Sequence, residues 1–239
     1  FSRRSRHTRS GPQSRGLGDV YKRQFLGRGI PVIGTFRTER PSLDTLRAEG
    51  ADLFACDFDD PGQIAGLTQA IQSGYPSLRA IIHNASDWLP DRTDLPPSDI
   101  MQRMMQVHVS APYQINLSLA RLLMASTNEP ADLIHVGDYV SSRGSKKHIA
   151  YASSKAAQDN LTLSFAAKLA PEVKVNSNAP ALVLFNEGDD PAYRQKALKK
   201  SLVQREGGLD EFQRAVDYLL DSDYVTGRIL PLDGGRHLV

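Results

Sequence analysis

The chain has 239 residues, 40% of them apolar and 23% charged, with a formal net charge of +2. That is enough for one medium domain with its own core, and the composition excludes an intrinsically disordered chain. A single cysteine, Cys56, excludes an internal disulfide and fits a reducing, cytoplasmic setting.

No apolar run approaches the ~20 residues that span a bilayer, so no membrane segment is expected. The six histidines and the lone cysteine show no metal-ligand spacing. Charge is unevenly spread. Residues 1–24, FSRRSRHTRSGPQSRGLGDVYKRQ, carry seven Lys/Arg and one Asp, a charge of +6, which leaves −4 for the rest. No buried strand is readable in residues 1–10, where Phe1 alone is apolar, and DVYKRQ makes a poor packed helix. The stretch 1–24 is therefore expected to be an aberrant basic segment, disordered or foreign, and the domain proper to run over 25–239. A nucleic-acid arm is the weaker reading of this charge.

From residue 25 the pattern is regular. IPVIGTF (30–36) reads as a buried strand, followed by a helix over 41–49 that stops at Gly50. ADLFACDF (51–58) is a second strand, and Asp60 with Pro61 opens a helix over 61–73. LRAIIHNAS (78–86) is a third strand, and 97–125 reads as one long helix. ADLIHVGD (131–138) and VKVNSNAP (173–180) are strands on either side of a helix over 150–169. An irregular, partly helical excursion, a helix over 209–221 and the strand RILPLDGG (228–235) complete the chain.

Strands alternating with long helices specify an α/β, Rossmann-like doubly wound parallel sheet in a single domain, whose ligands sit beyond the carboxyl ends of the strands. Such a sheet begins with an apolar strand and a glycine turn. Here both are absent or replaced: the glycines at 11, 16 and 18 are a weak signal, and Gly18 alone is spaced from Pro31 as a helix-leading glycine would be.

The chemistry concentrates in HIAYASSKAA (148–157). Positions i and i+4 share one helix face, so Tyr151 and Lys155 point into the same space. A phenol can donate a proton to a reduced carbonyl or imine, and a nearby ammonium is expected to lower its pKa by about one to two units. Alone, the pair is weak, and an ordinary helix can carry it. Asp138 lies thirteen residues ahead of the tyrosine at a strand end, and Trp88 is the only tryptophan.

The set HNAS, YASSK, VKVNSNAP and YVTGRILPLDGG, in this order over 25–239, resembles the short-chain dehydrogenase/reductases, and within them the pteridine reductases. Two departures favour that branch: Asp138 stands where most of the family has serine, and His108 in QVHVS replaces the asparagine usual there. The resemblance implies NADPH-dependent reduction of a dihydropterin, with 7,8-dihydromonapterin as substrate and dihydrofolate as a weaker one. It assigns Tyr151, Lys155 and Asp138 to catalysis, and Ser86, Trp88, Asp138 and Tyr151 to the pterin. Trp88 would stack on the flat ring.

For the cofactor it implies Gly18, Asp57, Asn84, Ala85, Ser86, Tyr151, Lys155, Pro180 and Val183. Arg37 and Thr38 after the first legible strand suit the 2′-phosphate of NADPH rather than the free ribose of NADH. Phe185, Asn186 and Glu187 would line the mouth. A homotetramer, with a dimer as fallback, is implied through the long helix and the Tyr151 helix. The alternatives are a carbonyl or 3-oxoacyl reductase on the same fold, and a binding protein impaired by its defective beginning.

Overall fold

Apolar runs of four to eight residues, each followed by an amphipathic helix, fold as their period requires. The computed structural model of the chain describes residues 13–126, 129–186 and 188–239. In order, the elements are α1 (Gln13–Gly27), β1 (Ile33–Phe36), α2 (Pro41–Ala48), β2 (Asp52–Ala55), α3 (Pro61–Gly74) and β3 (Ala80–His83). There follow α4 (Pro97–Met105), α5 (Ala111–Met124), β4 (Ala131–Val136), α6 (Ile149–Leu169), β5 (Val173–Pro180), α7 (Pro191–Leu198), α8 (Leu209–Asp221) and β6 (Ile229–Leu232).

All observed strand pairs are parallel. β4 and β5 are buried along their whole length, as central strands covered on both faces must be. Successive residues of β4 face opposite sides. Leu133 packs with Leu123 of α5 and Phe165 of α6, whereas Ile134 packs with Tyr21 and Phe25 of α1 and Val216 of α8. α3 and α5 meet over Ile64, Leu67, Ile115 and Leu119. The helices thus form two layers with the strands between them.

The sheet is split. β1 pairs with β2 alone, while β3, β4, β5 and β6 form a second sheet. Both halves share the same apolar layers. Val32 and Ile82 pack on the α1/α8 cluster, and Ile33 and Ile81 on the α3/α5 cluster. Among the described residues no strand joins β1 to β3.

Two expectations are corrected. DVYKRQ is not a poor packed helix: it lies inside α1, where Tyr21 and Phe25 are buried against Phe212 and Ile134. Burying two such aromatics stabilises the fold by about 1.5–3 kcal/mol each, which outweighs the weak amphipathicity of the polar positions around them. The boundary expected at residue 24 therefore falls in the middle of a packed helix.

The helix read over 97–125 is also not continuous α-helix. Residues 106–110 form a π-helical turn between α4 and α5. Pro112 explains it, because proline has no N–H and its ring collides with the carbonyl four residues back, that of His108. Phe1, Gly11 and Glu187, singled out from the sequence, lie outside the described residues.

Candidate active site

The reactive groups gather beyond the carboxyl ends of β3, β4 and β5, where parallel strands release their polar followers. Asp138, just past β4, is in extended conformation and caps the short turn after it by accepting from Val140 N at 2.9 Å. Tyr151, in the first turn of α6, donates its hydroxyl to Asp138 Oδ2 at 2.8 Å. Lys155, one turn on, is fully buried; its ammonium donates to Val136 O at 2.8 Å and Gln158 Oε1 at 3.1 Å and lies 5.9 Å from the centre of the Tyr151 ring. The i, i+4 geometry read from the sequence therefore holds.

The electrostatics differ from expectation. Burial, with the Asp138 carboxylate beside it, holds the Tyr151 phenol well above its ordinary pKa, and Lys155 does not lower it. Burial also raises Asp138 despite its hydrogen bonds, and lowers Lys155 to about 8. At neutral pH this leaves a protonated phenol donating to Asp138, beside a lysine that is still charged.

Ser86 follows β3 and donates toward His108 Nε2 at 2.9 Å. That same nitrogen accepts from Asp87 N at 3.3 Å, so the imidazole proton is on Nδ1, pointing at Ser154 Oγ 2.8 Å away. Ser154 in turn donates to Tyr151 O. Burial pushes the His108 pKa far down, which keeps it in this neutral form. The edge of its ring faces Tyr151 at 5.4 Å.

Trp88 is 42% exposed, and one face stacks on His148 at 4.1 Å, three residues before Tyr151. Asp91 ties the same loop to the start of α6 by accepting from Ile149 N at 2.8 Å. Arg37 stands exposed just past β1, 3.7 Å from Asp87. Thr38 is exposed next to it. Asp57, past β2, accepts from Asp59 N and donates its own N–H to Gln63 Oε1. Ala85 is exposed, Asn84 half-buried, and Pro180 ends β5.

Tyr151, Lys155, Asp138 and Ser86 are thus linked by contacts through His108, and Trp88 joins them through His148, while Asp57 and Thr38 follow the strands at the β1–β2 end. Two residues depart from their expected places. Gly18 lies within α1 and not in a turn ahead of it, and a Cβ there would stand 2.9 Å from Asn84 Nδ2, so its role is close approach of helix to strand end. Val183 packs in the apolar cluster with Tyr21, Phe25 and Phe212 rather than facing a ring site.

The sequence reading gave no role to His108, Asp87, Arg103, Asp91 or His148. Only His108 carried a signal, as a departure from the family. The others are joined by contacts across 16 residues or more of chain, or by stacking between loops, which no local pattern reveals.

Comparison with known proteins gives the family. The family described as enoyl-(acyl carrier protein) reductase matches residues 12–237, and so reaches back into the stretch expected to stand apart. The dihydromonapterin reductase of Klebsiella pneumoniae is 51% identical over 224 residues, covering 94% of this chain and 93% of that protein. The enzyme of the same name from Escherichia coli O6:K15:H31 is 50% identical over equal coverage. Among solved structures, FolM alternative dihydrofolate reductase 1 from Brucella canis, complexed with NADP, superimposes with a TM-score of 0.82 at 25% identity, covering 95% of this chain and 91% of that one. The chain belongs to the short-chain dehydrogenase/reductase family and stands there with the dihydromonapterin reductases.

Proposed function

We propose that the protein reduces the C=N bond of a dihydropterin with NADPH, converting 7,8-dihydromonapterin to its tetrahydro form and acting on dihydrofolate more weakly. The observation that carries this reading is the 2.8 Å hydrogen bond from Tyr151 to Asp138 beside an exposed tryptophan face. Reduction of a ring imine takes one hydride to carbon and one proton to nitrogen, and the phenolate left behind must be reprotonated; a carboxyl group bonded to the phenol can relay that proton.

The chain suits the cofactor. Lys155 commits two of its three protons to Val136 O and Gln158 Oε1, leaving one for a ribose hydroxyl. Arg37 is exposed where a 2′-phosphate is read. Asn84, Ala85 and Ser86 follow β3 and would border the nicotinamide ribose, with Pro180 beyond β5 and Asp57 at the adenine end.

NADPH held by these residues would supply the hydride for the carbon of the ring C=N bond. Tyr151 gives its phenolic proton to the nitrogen, which becomes far more basic than a phenolate as the hydride arrives. The raised phenol pKa is therefore useful: it keeps the proton in place until then. Asp138, whose pKa burial raises, returns a proton from solvent to the phenolate. Trp88 stacks on the ring, and Ser86, held by His108, orients it.

The neighbouring family name, an enoyl reductase, keeps a second substrate class in the test. Purified protein is given NADPH with dihydromonapterin, dihydrofolate, a ketone panel and acyl thioesters. Oxidation with the pterins, reduced about 10²- to 10⁴-fold in Tyr151→Phe with NADPH affinity within a few-fold, is expected. Turnover of ketones or thioesters alone defeats the proposal.

Three further parts of the reading are proposals of the same kind. A homotetramer through α5 and α6 is supported by the exposed apolar residues Tyr113, Leu117 and Leu163 on those helices. A cytoplasmic setting is supported by the free, buried Cys56. No helix among the described residues is long and apolar enough to cross a membrane. Foreign sequence in the basic stretch 1–24 is supported by its composition, seven Lys/Arg with Phe1 the one apolar residue of the first ten. An independent resequencing of the locus that returns the same codons defeats that last point.

A further inference from the structure

One buried carboxylate lies between Arg37 and the Trp88 amide. Asp87, between Ser86 and Trp88, is 3% exposed. Its Oδ2 takes two bonds from Arg103 of α4, from Nε at 2.7 Å and Nη2 at 2.6 Å. The same oxygen is 3.7 Å from Arg37 Nη1, a looser approach. Its Oδ1 accepts from Trp88 N at 3.0 Å, and its own N–H goes to His108 Nε2. One aspartate is thus shared by two arginines, each with over 30% of its side chain exposed, and its other oxygen holds the tryptophan backbone.

We propose that Asp87 and Arg103 are positioning residues that couple Arg37 to Trp88. Arg103 saturates the carboxylate, so Arg37 is only lightly held and remains available to an anion. A phosphate monoester carries more charge than a carboxylate and draws Arg37 away from Asp87. The carboxylate then answers to Arg103 and to the Trp88 amide alone, and the aromatic shifts with it. The inference rests on the reading of Arg37 as the 2′-phosphate ligand and extends it to the substrate end.

Trp88 is the only tryptophan in the chain, so its emission reports this segment alone. The probe is 2′,5′-ADP, which carries the 2′-phosphate but no nicotinamide to touch the indole, with 5′-ADP as control. Binding is measured by calorimetry and Trp88 emission is followed in parallel, with far-UV circular dichroism on every variant.

In the unaltered protein 2′,5′-ADP is expected to bind and to change Trp88 emission, and 5′-ADP to leave the emission unchanged. Asp87→Asn keeps the amide acceptor but loses the charge. It is expected to bind 2′,5′-ADP as tightly or up to about tenfold more tightly, with the emission response lost. Arg103→Met forces Asp87 onto Arg37 and is expected to weaken 2′,5′-ADP about tenfold. Asp87→Glu, which keeps the charge, retains the response.

These opposite signs separate coupling from a structural role, which would weaken binding in both variants. If 2′,5′-ADP binds without changing the emission, or both variants weaken alike, the coupling is overturned while Arg37 keeps its assignment. If 2′,5′-ADP binds no better than 5′-ADP, the assignment of Arg37 falls and the coupling with it.

Discussion

His83 and His135 sit side by side on β3 and β4, their rings stacked at 5.2 Å. His83 Nε2 is 2.6 Å from Asn116 Oδ1, so the neutral ring donates there. Burial lowers the His83 pKa from 6.5 to about 4. An unfolded chain therefore binds more protons than the folded one between those values. Stability from this group is complete above pH 6.5 and is lost as the pH falls toward 4.

At ~1.4 kcal/mol per pH unit per proton, His83 alone costs about 2 kcal/mol of stability by pH 5. The pKa values of His135 and His108 are lowered in the same direction, so the whole protein weakens further. The perturbation is His83→Gln, and the assay is urea unfolding at pH 7.5 and pH 5.0, followed by circular dichroism. The variant should start less stable, because it loses the stack and the Asn116 bond, but should lose about 2 kcal/mol less than the parent between the two pH values. Equal losses in both proteins would refute a neutral, buried imidazole at this position.

Other sites give predictions of different kinds. Asp132 is fully buried at the start of β4 between Arg79 and Lys174, whose ammonium is 3.1 Å away. Asp132→Asn leaves Lys174 without its buried counter-charge and should cost about 3–5 kcal/mol in urea unfolding. At Gly137 a Cβ would stand 2.9 Å from Ser177 Oγ and 3.4 Å from Asn178 O. Gly137→Ala should push Asp138 out of register, costing about 1–3 kcal/mol and lowering turnover more than NADPH affinity. Lys155 loses its charge near pH 8, so the NADPH dissociation constant of the free enzyme should rise as the pH passes that value, and a Lys155→Met variant should show no such inflection.

The regular part of the fold was open to sequence reading because its signals are local. Asp60 caps α3 through Gly62 N and Gln63 N, as its place before Pro61 suggested. Each strand core was found: VKVNSNAP matches β5 end to end, and the others were read a few residues too long because flanking apolar residues such as Cys56 continue the pattern into loops. Tyr151, Lys155 and Asp138 were legible from spacing and resemblance. Their acidities were not, because burial depends on what packs around them. α1 was misread because two aromatics among charged residues give a poor average, although Tyr21 and Phe25 are four apart on one face. The π-turn had a signal, Pro112, that a helix-wide reading passed over.

Among the described residues β1 and β3 share no ladder, and side chains carry the connection between them. Within either slab, neighbouring strands are locked by amide-to-carbonyl ladders that resist sliding. Among the described residues the two are tied by side-chain packing through Val32, Ile82, Ile33 and Ile81, by Gln106 donating to Phe58 O, and by ion pairs such as Arg37 to Asp87. Arg37 rides on one slab and the Tyr151 machinery on the other. Among the described residues the distance from Arg37 to the Tyr151 machinery is thus held by side-chain contacts and not by the amide ladder of either sheet.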